Sequence, residues 1–131
     1  MRDNVELIES VWEAFSRADV DAAAGAIADE AEIVFPDTVP WGGTYRGPDG
    51  FREAVSGMLS RVGDFRAKPE MILGADDDHV VVVANITGRG QRGARLDVRV
   101  AWLYRLRAGK VIRGEAFPDT ARVLEALGQA N

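Results

Sequence analysis

Residues 100–128 constrain the fold more than any other stretch of the chain. Val100-Ala-Trp-Leu-Tyr-Arg-Leu-Arg and Lys110-Val-Ile-Arg-Gly-Glu-Ala-Phe are strand-like runs joined by a tight turn at Ala108-Gly109-Lys110. Apolar residues flank the turn on both sides, and Gly109 stands where a positive φ is expected. Pro118 has no N–H to continue a ladder. Asp119 is an N-cap and Gly128 a C′ glycine, so a short helix should follow the last strand.

The remainder orders itself around that hairpin. Val5, Ile8, Trp12 and Phe15 recur at helical spacing, and Leu7, Val11 and Ala18 widen the stripe. Asp19 caps a second, Ala-rich helix through Val20, Ala23, Ala24 and Ile27. Glu32 to Phe35 is a short strand stopped by Pro36. Residues 36–47 form a loop holding Trp41 and Tyr45, with a short strand near its end. Pro48 suits the first turn of a third helix whose apolar stripe is Phe51, Val55, Met58, Leu59 and Val62. Everything after Gly63 reads as β: Phe65 to Leu73, a turn at 75–79, Val80 to Thr87, a glycine-rich turn at 88–93, and Arg95 to Arg107. Helices first and a meander afterwards predict an α+β domain spanning residues 1–131. Three N-terminal helices should pack on the concave face of a strongly curved, mainly antiparallel sheet, giving a cone-shaped domain with a cavity between the layers.

Composition narrows the function classes. A net charge of -5, with sixteen basic residues scattered among acidic ones, argues against a nucleic-acid partner. The absence of cysteine removes thiolate chemistry and fits a cytoplasmic protein. No apolar run approaches the ~20 residues that span a bilayer, and Met1 to Glu6 lacks the apolar core of a secretory leader. His79 is the only histidine and follows Asp76-Asp-Asp78 in a turn, so it is read as solvated, with no metal site expected. Gly88-x-Gly-x-x-Gly93 joins two strands and opens no helix, so it is a turn and binds no dinucleotide. No cofactor is expected.

The element order, together with Ala18-Asp-Val-Asp21, Tyr45-Arg-Gly47 and the final hairpin, resembles the SnoaL-like proteins of the nuclear transport factor two (ketosteroid isomerase-like) superfamily. The resemblance covers the whole chain. It implies that related isomerases would keep their tyrosine donor, base and protonated carboxyl at the positions of Val11, Phe35 and Ala101. It places the final-strand carboxylate of limonene epoxide hydrolase-like sites at Ala116. None of these residues carries the required group, so neither chemistry is expected in its standard form.

The resemblance turns the face of Ala101 toward the pocket, which would bring Asp97 and Arg99 to its inner wall. There Asp97 is a candidate general base with Arg99 orienting it, or the two form a cross-strand ion pair. Asp37, just past the first strand, is the second candidate base, or a turn-stabilising residue. Trp12, Phe15, Phe35, Trp41, Tyr45 and Met58 are candidate ligand contacts or core. Asn85, Ala101 and Glu115 are further candidates, with Glu115 facing away from Ala116 unless a bulge reverses the pleat. Two functions follow. One is a cofactor-free enzyme using carboxylate acid/base chemistry on an apolar polyketide-, terpenoid- or steroid-like molecule. The other is a non-catalytic ligand-binding or dimerisation domain. Apolar residues on both faces of 80–84 and 98–102 predict a homodimer that packs sheet against sheet.

Overall fold

In a computed structural model, the structure describes residues 3–17, 19–37 and 41–117. The expected C-terminal helix from Asp119 to Gly128 lies outside the described residues.

Asp3 opens helix α1 (Asn4–Ser16) by accepting from the Val5 amide at 2.9 Å, and Asp19 caps α2 (Val20–Ala24) through the Ala22 amide at 3.1 Å. The second helix is shorter than the sequence suggests. Ile27 is not its last apolar residue but the first of strand β1 (Ile27–Phe35), which runs nine residues where four were expected. Asp29, Glu30 and two alanines give this strand little intrinsic β preference. What makes it a strand is pairing, because Ile27 lies opposite Val111 and the Val111 amide donates to Ala26. Strand β2 (Gly43–Arg46) pairs antiparallel with it and leads into α3 (Gly47–Arg61), which carries Pro48 in its first turn.

The meander follows as β3 (Gly63–Gly74), β4 (His79–Arg89), β5 (Arg95–Arg107) and β6 (Lys110–Phe117). The six strands form one sheet in the order β2-β1-β6-β5-β4-β3. Every neighbouring pair is antiparallel except β1 with β6, so the sheet is mixed. At the final turn Ala108 (φ 53°) and Gly109 (φ 74°) are both left-handed, and Arg107 faces Lys110, the geometry of a type I′ hairpin.

The helices lie on one face of this sheet. Ile8 and Trp12 of α1 and Ala54 of α3 share a buried cluster with Ile33, Phe35, Val80, Val82, Ala84, Tyr104, Leu106 and Val111. On the outer face Val81, Val83 and Ala101 are buried beside Leu103 and Phe117, while Met71 and Leu73 remain 43% and 54% exposed. Among the described residues no helix is long and apolar enough to cross a membrane.

Candidate functional site

A cavity of about 540 Å³ opens between the helices and the inner face of the sheet, within the range of small-molecule sites. Helix α1 contributes Val11, Trp12 and Phe15, and α3 contributes Phe51, Val55 and Met58. The first strand and the loop after it supply Ile27, Ile33, Phe35, Pro36 and Trp41. The meander adds Phe65, Ile86, Leu96, Val98, Val100, Trp102, Tyr104, Ala116 and Phe117, the last of which also packs against the outer-face cluster. Strand alternation explains the selection of Leu96, Val98, Val100, Trp102 and Tyr104 from β5, where even-numbered residues face the helices and odd-numbered ones face outward; Arg99, which also borders the cavity, is the exception.

The chain has five Phe, three Trp and two Tyr, ten aromatic residues in all. Nine of them border the cavity. The tenth, Tyr45, stands directly behind the wall. Its ring meets Phe35 edge-on at 5.9 Å and its hydroxyl donates to the Trp41 carbonyl at 2.9 Å. The rings brace one another as well. Trp102 is stacked on Tyr104 at 5.6 Å and meets Phe35 edge-on at 5.2 Å, and Phe15 bridges Trp12 and Phe65 through edge contacts.

One buried hydrogen bond crosses the cavity wall. The Trp12 indole Nε1–H donates to the Tyr104 hydroxyl at 3.1 Å. Burial holds the Tyr104 phenol neutral far above the ordinary tyrosine range, and the Trp12 bond only partly opposes that effect. Gly114 faces Tyr104 across the ladder, and a methyl group there would lie 3.2 Å from two carbons of the tyrosine ring. The glycine leaves space for that ring.

The sequence-derived candidates separate into two groups. Trp12, Phe15, Phe35, Trp41 and Met58 border the cavity, and Tyr45 supports it from outside. Asp97, Asn85, Ala101 and Glu115 do not border it. Ala101 is 1% exposed but packs on the outer face with Val81 and Val83. Asp97, on the same row, is exposed and accepts from Asn85 Nδ2 at 3.0 Å. Arg99 borders the cavity, yet its guanidinium is held by Glu70 at 2.8 Å rather than by Asp97. Glu115 lies opposite Leu103 and pairs with Arg113, which also holds Glu32. Asp37 is exposed beside the loop, next to Pro36, and does not border the cavity.

The placement of Ala101 toward the pocket is therefore corrected. Val11, Phe35 and Ala116, the other positions that the family pattern singles out, do border the cavity. Ala101 is one residue out of step with Val100 and Trp102, and a single step along a strand reverses every side chain. The bulge in the final hairpin lies at Ile112, between the Arg105–Arg113 and Leu106–Val111 pairs, so Glu115 keeps the face opposite Ala116. Phe65, Phe117, Trp102 and Tyr104 were not anticipated as contacts. For Trp102 and Tyr104 the signal was present in the even-numbered row from Leu96 to Leu106, which is apolar except for the Trp102 indole N–H and the Tyr104 hydroxyl.

Among the described lining residues there is no carboxylate, histidine or lysine, and no group of three or more potential metal ligands. The lining residues with polar side chains are Trp12, Trp41, Trp102, Tyr104 and Arg99, the last with its guanidinium exposed and paired with Glu70.

The model of the SnoaL-like domain family matches residues 8–114. An NTF2-like protein from Burkholderia thailandensis superposes with a TM-score of 0.84 at 29% identity, covering 97% of this chain and 98% of that one. An NTF2-like protein of unknown function from Burkholderia pseudomallei gives 0.81 at 21% identity, covering 95% and 97%. TerC, crystallised with polyporic acid, gives 0.79 at 25% identity, covering 93% and 95%. No curated protein sequence matches the chain.

Proposed function

Since this chain belongs to the SnoaL-like domain family, we propose that it binds a small, flat, largely apolar molecule in the cavity between its helices and its sheet. The observation that carries this reading is the concentration of aromatic residues: nine of ten border one space. A core needs only dense packing, and these rings could be spread through it. Their collection around an open volume of about 540 Å³ matches a wall that takes ring edges and faces against a planar guest. In this reading the sheet curls around the guest as a cone. TerC, of the same fold, was crystallised with a small molecule, which supports the reading by analogy.

Carboxylate acid/base catalysis on a polyketide-, terpenoid- or steroid-like substrate is the rival. It requires a proton-transfer group within hydrogen-bond reach of the guest. Asp97 sits on the outer face and Asp37 outside the wall, so the described residues give it no support. The binding reading is tested by titrating the protein with fluorene while following tryptophan fluorescence, since all three indoles border the cavity. Saturable quenching at micromolar concentration is expected. An unchanged spectrum up to the solubility limit of fluorene would sink the proposal.

The exposed Met71 and Leu73 on the outer face support a homodimer built sheet to sheet. Light scattering should give about twice the chain mass of 14.2 kDa at micromolar concentration, and a single-chain mass would contradict it.

A further inference from the structure

The cavity wall is chemically one-sided. Its lining residues with polar side chains carry donors: the indoles of Trp12, Trp41 and Trp102 and the Tyr104 hydroxyl, while the guanidinium of Arg99 is exposed and paired with Glu70. The hydroxyl is the one group that could also accept, and Trp12 already donates to it at 3.1 Å. Among the described residues no acceptor takes the Tyr104 proton. Tyr104 as a residue is 7% exposed, its ring stacked on Trp102 and given room by Gly114 across the ladder. It is thus a buried donor, held in place, with its own hydrogen uncommitted. A buried donor left unused costs free energy, so a site built this way favours a guest that satisfies it.

We infer that the Tyr104 hydroxyl, oriented by Trp12, donates a hydrogen bond to a carbonyl-class oxygen on the bound molecule. The inference rests on the binding reading and adds the guest's polar chemistry: a planar apolar ketone or quinone-like compound rather than a hydrocarbon, an amine or a carboxylic acid donor. Tyr104 is the anchor that touches the guest. Trp12 is a positioning residue, because its N–H occupies one oxygen lone pair and so fixes where the phenolic hydrogen points. Burial keeps the phenol protonated, so the group acts as a donor and not as a base.

Fluorene and 9-fluorenone test this directly, since they share one tricyclic frame and differ by a carbonyl. The protein should bind fluorenone about three- to tenfold more tightly than fluorene, the size of one hydrogen bond. The infrared carbonyl band of bound fluorenone should move to lower frequency than in hexane. Tyr104→Phe should abolish both the preference, read as the ratio of fluorenone to fluorene affinity on that variant, and the band shift. Trp12→Phe, with fluorenone compared against fluorene on that same variant, should broaden or shrink the band shift, an outcome that a merely structural tryptophan would not give. If the preference survives Tyr104→Phe, or if the wild type shows none, the anchor assignment is overturned and the binding reading stands. If neither compound binds, both are overturned.

Discussion

Along β5, Leu96, Val98, Val100, Trp102 and Tyr104 wall the cavity, whereas Arg95, Asp97, Ala101 and Leu103 alternate with them on the outer face. The two rows share one backbone and the same hydrogen-bond ladders, yet they carry different chemistry. The inner row supplies ring surface and one buried donor. The outer row supplies solvated ion pairs around a small apolar patch. Exposed pairs such as Arg99–Glu70 and Arg113–Glu115 contribute at most about 1 kcal/mol each. A carboxylate in such a row is poorly placed for chemistry on a guest held behind the sheet.

The contrast should be largest in stability. Trp12→Ala removes a ring that is 4% exposed and strips Tyr104 of its partner, and the unfolding free energy should fall by about 3–5 kcal/mol. Asp97→Ala on the outer row should change it by no more than about 0.5 kcal/mol. Urea unfolding of both variants measures the difference, and similar losses would erase the distinction between the faces.

Binding should divide the same way. Val100→Asp places a charge on the cavity wall and should weaken fluorene binding at least about tenfold. Asp97→Asn, which keeps its shape, should leave the dissociation constant within about twofold, since the side chain sits on the other face. A strong loss at Asp97 in the same fluorescence titration would restore the acid/base candidate.

The two environments also titrate in opposite directions. Burial raises the Tyr104 pKa above its ordinary 10.0, so its contribution to stability is fully present below pH 10 and declines as pH rises further. Tyr104→Phe should therefore flatten the alkaline fall in melting temperature. In the exposed turn between β3 and β4, Asp76 accepts from the Asp78 amide, which lowers its pKa most, and from His79. Its contribution is present above pH 3.8 and is lost as pH falls through the lowered value, so Asp76→Asn should soften the acid transition alone. A variant that shifts the wrong limb of the pH–stability curve would contradict the assignment.

The smallest effect concerns the hairpin that joins β5 to β6. Ala108 holds φ at 53°, where a Cβ is strained, so Ala108→Gly should stabilise by up to about 1 kcal/mol. Calorimetry showing no gain would mean that the extra freedom of glycine in the unfolded chain offsets the relief.

Much of this organisation was legible in the sequence because it depends on local chemistry. Asp3 and Asp19 cap the helices they precede, although only Asp19 was anticipated, and the stripe Ile8, Trp12 predicts which side of α1 is buried. The left-handed Gly109 fixes the hairpin, and the β-branched run from Val80 forms β4. Strand β1 was half missed because its first residues read as acidic and small, and only partners distant in the chain make them β. The cavity's rings were identified where helical spacing or loop composition flagged them, as at Trp12, Phe15 and Trp41, and overlooked in the meander.

The sequence by itself determined the order of elements, the turn chemistry and the pattern of apolar alternation, since each is set within a few residues of itself. Only the tertiary structure decided which row of β5 met the helices. Alternation has a period of two and defines two faces without saying which of them will be covered. A one-residue difference in placement sent Ala101 and Asp97 outward and brought Val100, Trp102 and Tyr104 to the cavity. The meeting of Trp12 with Tyr104, 92 residues apart, depends on that packing and on the space left by Gly114.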